Sequence, residues 1–131
     1  MSTVSVRYIV TDVDAAIDFY TTRLGFTVDM HPAATFAAVS RGDLRLLLSA
    51  PAGPGGGAAP AADGTAPEPG GWNRIQLEVT DLAATVAQLR ATGTPFRQTE
   101  IVIGRGGNQI VLDDPSGNPV ELFQPAQAVS P

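Results

Sequence analysis

One pattern occurs twice in this chain: a β-rich run, an aspartate, a stretch with helical apolar spacing, and a glycine. Residues 4–11 (VSVRYIVT) are rich in β-branched and aromatic types and predict a strand. Asp12 follows, and its carboxylate can accept the unpaired N–H groups of a helix start. Ala16, Ile17, Tyr20 and Leu24 then recur at helical spacing, and Gly25 offers the left-handed stop. The same grammar returns at 73–80 (NRIQLEVT), with Asp81 as cap, Leu82, Val86 and Leu89 as the buried stripe, and Gly93 as terminator. After each helix come three β-rich segments: FTVDM, TFAAVS and LRLLLS, then PFRQTEIVI, NQIVLD and PVELFQ. Each half therefore reads βαβββ, which makes the fold class α+β.

A four-stranded sheet with one helix leaves its other face bare, and half of 131 residues is too little to stand alone. The expectation is one structural domain of two modules, 1–50 and 71–131, forming a curved mixed sheet around a concave cavity. Residues 51–70 (PAGPGGGAAPAADGTAPEPG) are almost wholly Pro, Gly and Ala, too poor in apolar surface to offset ordering entropy. They are expected to be a flexible linker or flap.

Composition removes several classes of chemistry. There is no Cys, so no disulfide, thiolate nucleophile or thiolate metal site. All eight basic residues are Arg, which removes Schiff-base and P-loop lysines. The arginines are scattered singly in a chain of net charge −5, so nucleic acid is not an expected partner. No apolar run is long enough to span a bilayer and MSTVSVRYIV is no secretion signal, so no membrane association and a cytoplasmic location are expected.

The segments TDVDAAIDFYTTRLGF (11–26), TDLAATVAQLRATG (80–93) and DDPSGNPVELFQP (113–125) together resemble the vicinal-oxygen-chelate superfamily of glyoxalases, bleomycin-resistance proteins and extradiol dioxygenases. The resemblance spans nearly the whole chain. It implies a metal site in the metal-dependent members, with ligands seven positions before each capping Asp and on the last strand of each module. Those positions hold Ser5, Arg74, Glu121 and, in LRLLLS, Leu46. Only Glu121 is a metal ligand type, and a guanidinium has no lone pair to give. No metal or other cofactor is expected; an Arg74–Glu121 ion pair is expected in its place.

The resemblance also implies a homodimer in which module 1 of one chain lies beside module 2 of the other. Candidate ligand-binding residues are Ser5, Arg7, Phe36, Leu46, Leu48, Trp72, Arg74, Gln76, Gln109, Glu121 and Phe123: a few polar groups among apolar walls, as small-molecule pockets are built. Period-2 alternation puts Arg74, Gln76 and Glu78 on one strand face, and Glu121 and Phe123 on one face of another. Trp72, beside the linker, offers an indole for stacking on a planar ligand. His31, the single histidine, sits before Pro32 and reads as a loop residue rather than a general base. GRGG (104–107) and DDPSGN (113–118) read as hairpin turns, not as phosphate or calcium loops.

No nucleophile or catalytic residue emerges. The expected function is metal-independent sequestration of a hydrophobic or aromatic small molecule, such as an antibiotic natural product, rather than catalysis. The competing reading is a glyoxalase-like enzyme acting in the same cavity, either a metal-dependent lyase or dioxygenase or a metal-free isomerase or hydrolase with Glu121 as base.

Overall fold

In the computed structural model, residues 3–51 and 57–127 are described; the expected linker at 51–70 lies partly, at 52–56, outside them. The chain divides into two compact units, Met1–Gly71 with Pro115–Asn118, and Trp72–Asp114 with Pro119–Pro131. The turn Pro115–Asn118, late in the sequence, thus belongs to the first unit.

The first unit runs β1 (Val4–Ile9), α1 (Val13–Leu24), β2 (Thr27–Ala33), β3 (Phe36–Arg41) and β4 (Leu44–Ser49). Its sheet order is β1-β4-β3-β2, parallel between β1 and β4 and antiparallel elsewhere. The helix begins where Asp12 Oδ1 accepts the Ala15 N–H at 3.1 Å, and ends at Gly25, whose φ of +74° a side chain would resist. Its buried side is Val13, Ala16, Phe19, Tyr20 and Leu24. Ile17, expected in that stripe, is only half-buried, and Phe19 takes its place with its ring edge-on to Tyr20 at 5.2 Å.

The second unit repeats the plan: β5 (Ile75–Glu78), α2 (Leu82–Ala91), β6 (Val102–Ile103), β7 (Gly107–Asp113) and β8 (Pro119–Pro125), in the order β5-β8-β7-β6. Asp81 caps α2 through the Ala84 N–H at 3.0 Å, and Leu82, Val86 and Leu89 are its buried face. Ile75, Leu77, Ile110, Leu112, Val120 and Leu122, all nearly inaccessible, form the covered face of the sheet.

The expected strand at 95–103 is interrupted. Phe96 makes one bridge to Leu112, and regular pairing resumes only at β6. Between them the Val111 N–H is taken by Gln98 Oε1 at 3.0 Å instead of by a backbone carbonyl. Arg90 of α2 stacks its guanidinium 5.1 Å from the Phe96 ring and donates to the Thr99 carbonyl. The Thr99 carbonyl is thereby engaged by a side chain rather than by a neighbouring strand.

Candidate functional site

Each sheet has a face turned away from its helix, and strand register decides which side chains stand there. In the second unit, Gln76 opposes Glu121, Glu78 opposes Phe123, and across β7 Val111 opposes Glu121 and Gln109 opposes Phe123. Arg74 continues the phase of Gln76 by two residues. The free face therefore carries Arg74, Gln76, Glu121, Phe123 and Gln109 together.

Glu121 is its centre. The residue is 6% exposed, and both carboxylate oxygens are engaged. Oε1 accepts from Arg74 Nε at 3.0 Å and lies 2.9 Å from Arg74 Nη2; Oε2 accepts from Gln76 Nε2 at 2.6 Å. Arg74 Nη1 reaches back to the Trp72 carbonyl at 3.3 Å, tying the strand to the residue that precedes it. A buried carboxylate needs this full set of donors.

Trp72 is 64% exposed, a large exposure for an indole. The Arg97 guanidinium sits 4.6 Å from its ring centroid and is itself held by Asp113 at 2.7 Å. A cation over the ring, anchored by a carboxylate, fixes the indole's position. At the other end, Phe123 lies over Gly107. A Cβ on Gly107 would fall 2.7 Å from the Phe123 ring and collide with the Gln124 carbonyl, and its φ is +152°. Only glycine admits the ring there.

In the first unit, Ser5 opposes Arg45, Arg7 opposes Leu47, and Phe36 opposes Ser49. Ser5 and Arg7 are exposed and Phe36 is half-buried, all in the phase of the free face. Leu46 and Leu48 are not. Leu46 pairs with Val6 and Val39, Leu48 with Tyr8 and Ala37, and both are wholly inaccessible, so they belong to the covered face. β4 carries three consecutive leucines, and of these Leu47 has the phase of Arg7. Arg7 Nη1 donates to Ser49 Oγ at 2.7 Å.

His31 lies in β2, not in a loop, with Nε2 3.6 Å from Asp14 Oδ1 of α1. GRGG forms the β6–β7 turn, Gly104 N–H donating to the Gly107 carbonyl at 3.0 Å. The DDPSGN turn does more than reverse the chain. Asn118, 4% exposed, donates to the Ile9 carbonyl at 2.7 Å and accepts the Gly70 N–H at 2.8 Å, while Ser116 Oγ accepts the Thr11 N–H at 2.9 Å. Nothing local in the sequence signals these bonds. A shallow groove of about 560 Å³ runs between α2 and residues 99–103, and none of the expected ligand-binding residues lines it.

The residues at the family's metal positions do not fit a divalent cation. Leu46 is apolar and on the covered face, Arg74 is a cation, and Glu121 has one oxygen engaged by the Arg74 guanidinium and the other by the Gln76 amide. Among the described residues, no three His, Cys, Asp or Glu side chains gather to hold a metal.

With this geometry in place, comparison with known proteins gives a direct assignment. The Glyoxalase/Bleomycin resistance protein/Dioxygenase superfamily matches residues 3–122, and the chain belongs to that family. Three solved structures illustrate its range. An antibiotic-binding protein, TnmS3, from Streptomyces sp. CB03234 is 23% identical with a TM-score of 0.71, covering 96% of this chain and 97% of its own. The bleomycin-binding protein of bleomycin-producing Streptomyces verticillus, complexed with copper(II)-bleomycin, is 24% identical with a TM-score of 0.62, covering 96% and 98%. A lactoylglutathione lyase from Agrobacterium tumefaciens is 21% identical with a TM-score of 0.70, covering 94% and 92%. At these identities the likeness is one of fold. No curated protein matches. Among the described residues, no helix is long and apolar enough to cross a membrane.

Proposed function

We propose that this protein binds and sequesters a hydrophobic or aromatic small molecule, an antibiotic natural product in the reading we favour, without a metal and without chemical turnover. The observation that carries the proposal is the state of Glu121. Both its oxygens accept hydrogen bonds, from Arg74 and Gln76, so the one carboxylate at the positions where the resemblance implies metal ligands is engaged within the protein. Beside it stands the exposed Trp72 ring, held by Arg97 and suited to stacking on a planar molecule. The fold's occurrence in two antibiotic-binding proteins supports the same reading. We further propose a cytoplasmic homodimer built from the two modules, 1–50 and 71–131.

The test incubates purified protein with a panel of planar aromatic antibiotics, with and without divalent metal, then denatures it and weighs the released molecule. Saturable binding with unchanged mass and unchanged chromatographic retention supports sequestration. A product of altered mass overturns it in favour of a lyase or dioxygenase, and one of unchanged mass but altered retention in favour of an isomerase.

A further inference from the structure

The two free faces differ in how their charges are satisfied. On the second sheet, Arg74 is spent on Glu121 and Arg97 on Asp113. On the first sheet, Arg7 and Arg45 stand in the same phase, and among the described residues neither takes part in an ion pair. Arg7 gives one N–H to Ser49 Oγ and has no acceptor among the described residues for the rest of its fork. Ser49 is 3% exposed, and its Oγ, having accepted from Arg7, keeps its own proton to donate. A buried hydroxyl coupled to an unneutralised guanidinium is a set of convergent donors, in a protein whose net charge is −5.

The walls around it are specific. Phe36 is the direct cross-strand neighbour of Ser49, and Leu47 that of Arg7, so apolar side chains flank the donors. Gly57 passes so close that any Cβ there would collide with the Arg7 guanidinium and lie 2.8 Å from Ser49 Oγ. The backbone thus backs the guanidinium without a side chain to compete for it.

Resting on the sequestration reading above, we infer that the free face of the first unit takes an anionic ligand: an apolar or aromatic body carrying a carboxylate, sulfonate or phosphate, with its oxyanion held by Arg7 and Ser49 and its body against Phe36 and Leu47. An arginine fork matches the paired oxygens such groups present, and the flanking apolar side chains receive the ligand's body. Arg45, two residues along the same face, adds attraction at longer range.

The test compares two fluorescent probes that differ in one group, 8-anilinonaphthalene-1-sulfonate and N-phenyl-1-naphthylamine, which lacks the sulfonate. The wild-type protein is expected to bind the sulfonate about tenfold more tightly, the worth of one charge-assisted hydrogen bond. Arg7→Gln is expected to bring the affinity for the sulfonate down to that for the neutral probe, with a circular-dichroism spectrum like the wild type's showing the fold intact; Ser49→Ala reduces the preference by less. Equal affinity of the wild type for both probes, or a preference that survives Arg7→Gln, overturns the anion inference while the binding reading stands. Failure of both probes to bind overturns the two together.

Discussion

Replacing Arg74 by Met tests the cluster on the second sheet most severely. The substitution leaves the Glu121 carboxylate, whose side chain is 8% exposed, with Gln76 as its one remaining donor. Breaking a fully buried pair in this way costs about 3–5 kcal/mol. Arg74 is 27% exposed, so water can enter the space it leaves, and screening reduces the expected loss to about 1–2 kcal/mol. The converse change, Glu121→Leu, costs about 1 kcal/mol or less, because the freed guanidinium can turn to solvent. With both changes, an apolar pair replaces an ionic one, and the double variant is expected within about 1 kcal/mol of wild type. The four proteins are compared by urea unfolding at pH 7, where Arg74→Met lowers the midpoint at unchanged slope. In thermal unfolding the same loss appears as roughly 4–8 °C in Tm. A double variant as unstable as the sum of the two singles, with no coupling beyond about 0.3 kcal/mol, would refute the reasoning.

Other consequences follow from single contacts. Asn118→Ala removes bonds to the Ile9 carbonyl and the Gly70 N–H at a buried position, and is expected to lower unfolding stability by about 2 kcal/mol by urea titration. Gly107→Ala drives a methyl against Phe123 and the Gln124 carbonyl at a positive φ, with an expected loss of about 2–3 kcal/mol in the same assay. Trp72→Ala, at an exposed ring, should shift stability by less than about 0.5 kcal/mol yet weaken binding of a planar aromatic ligand about tenfold by calorimetry. The Asp63 carboxyl is held below its ordinary value of 3.8, first by the Thr65 hydroxyl and next by the Thr65 N–H. A depressed folded value means that the 61–65 turn gains from the ionised group above the ordinary value and loses that gain as pH falls through the lower one. The group is fully exposed, so NMR titration should show a local change at Thr65 without global unfolding.

Much of this was legible in the sequence because it is local or periodic. The capping aspartates, the two helices and the turn glycine Gly25 follow from a few neighbouring residues, and the repeated strand order follows from the repeat itself. The meeting of Arg74, Gln76 and Glu121 was legible because each strand alternates cleanly. Where alternation is lost the face is not legible: LRLLLS has leucine on both faces, and no sequence argument chooses between Leu46 and Leu47. The interruption of the strand at 95–103 depends on the Gln98 and Arg90 side chains replacing or engaging backbone partners, and the Trp72–Arg97–Asp113 stack joins three distant positions. Such contacts are set by tertiary packing. The Arg7–Ser49 bond is of this kind too, since it links strands whose pairing is fixed only when the sheet forms.

The proposed metal-free binding rests on the Arg74–Glu121 pair, which stands at positions where the family resemblance implies metal ligands. Calorimetric titration of a planar aromatic ligand into protein freed of divalent ions by chelation, repeated after adding zinc, tests it most directly. The same affinity in both titrations and full recovery of the ligand unchanged are expected. Binding that appears only with zinc, or stoichiometric zinc uptake that Glu121→Gln abolishes, would contradict it.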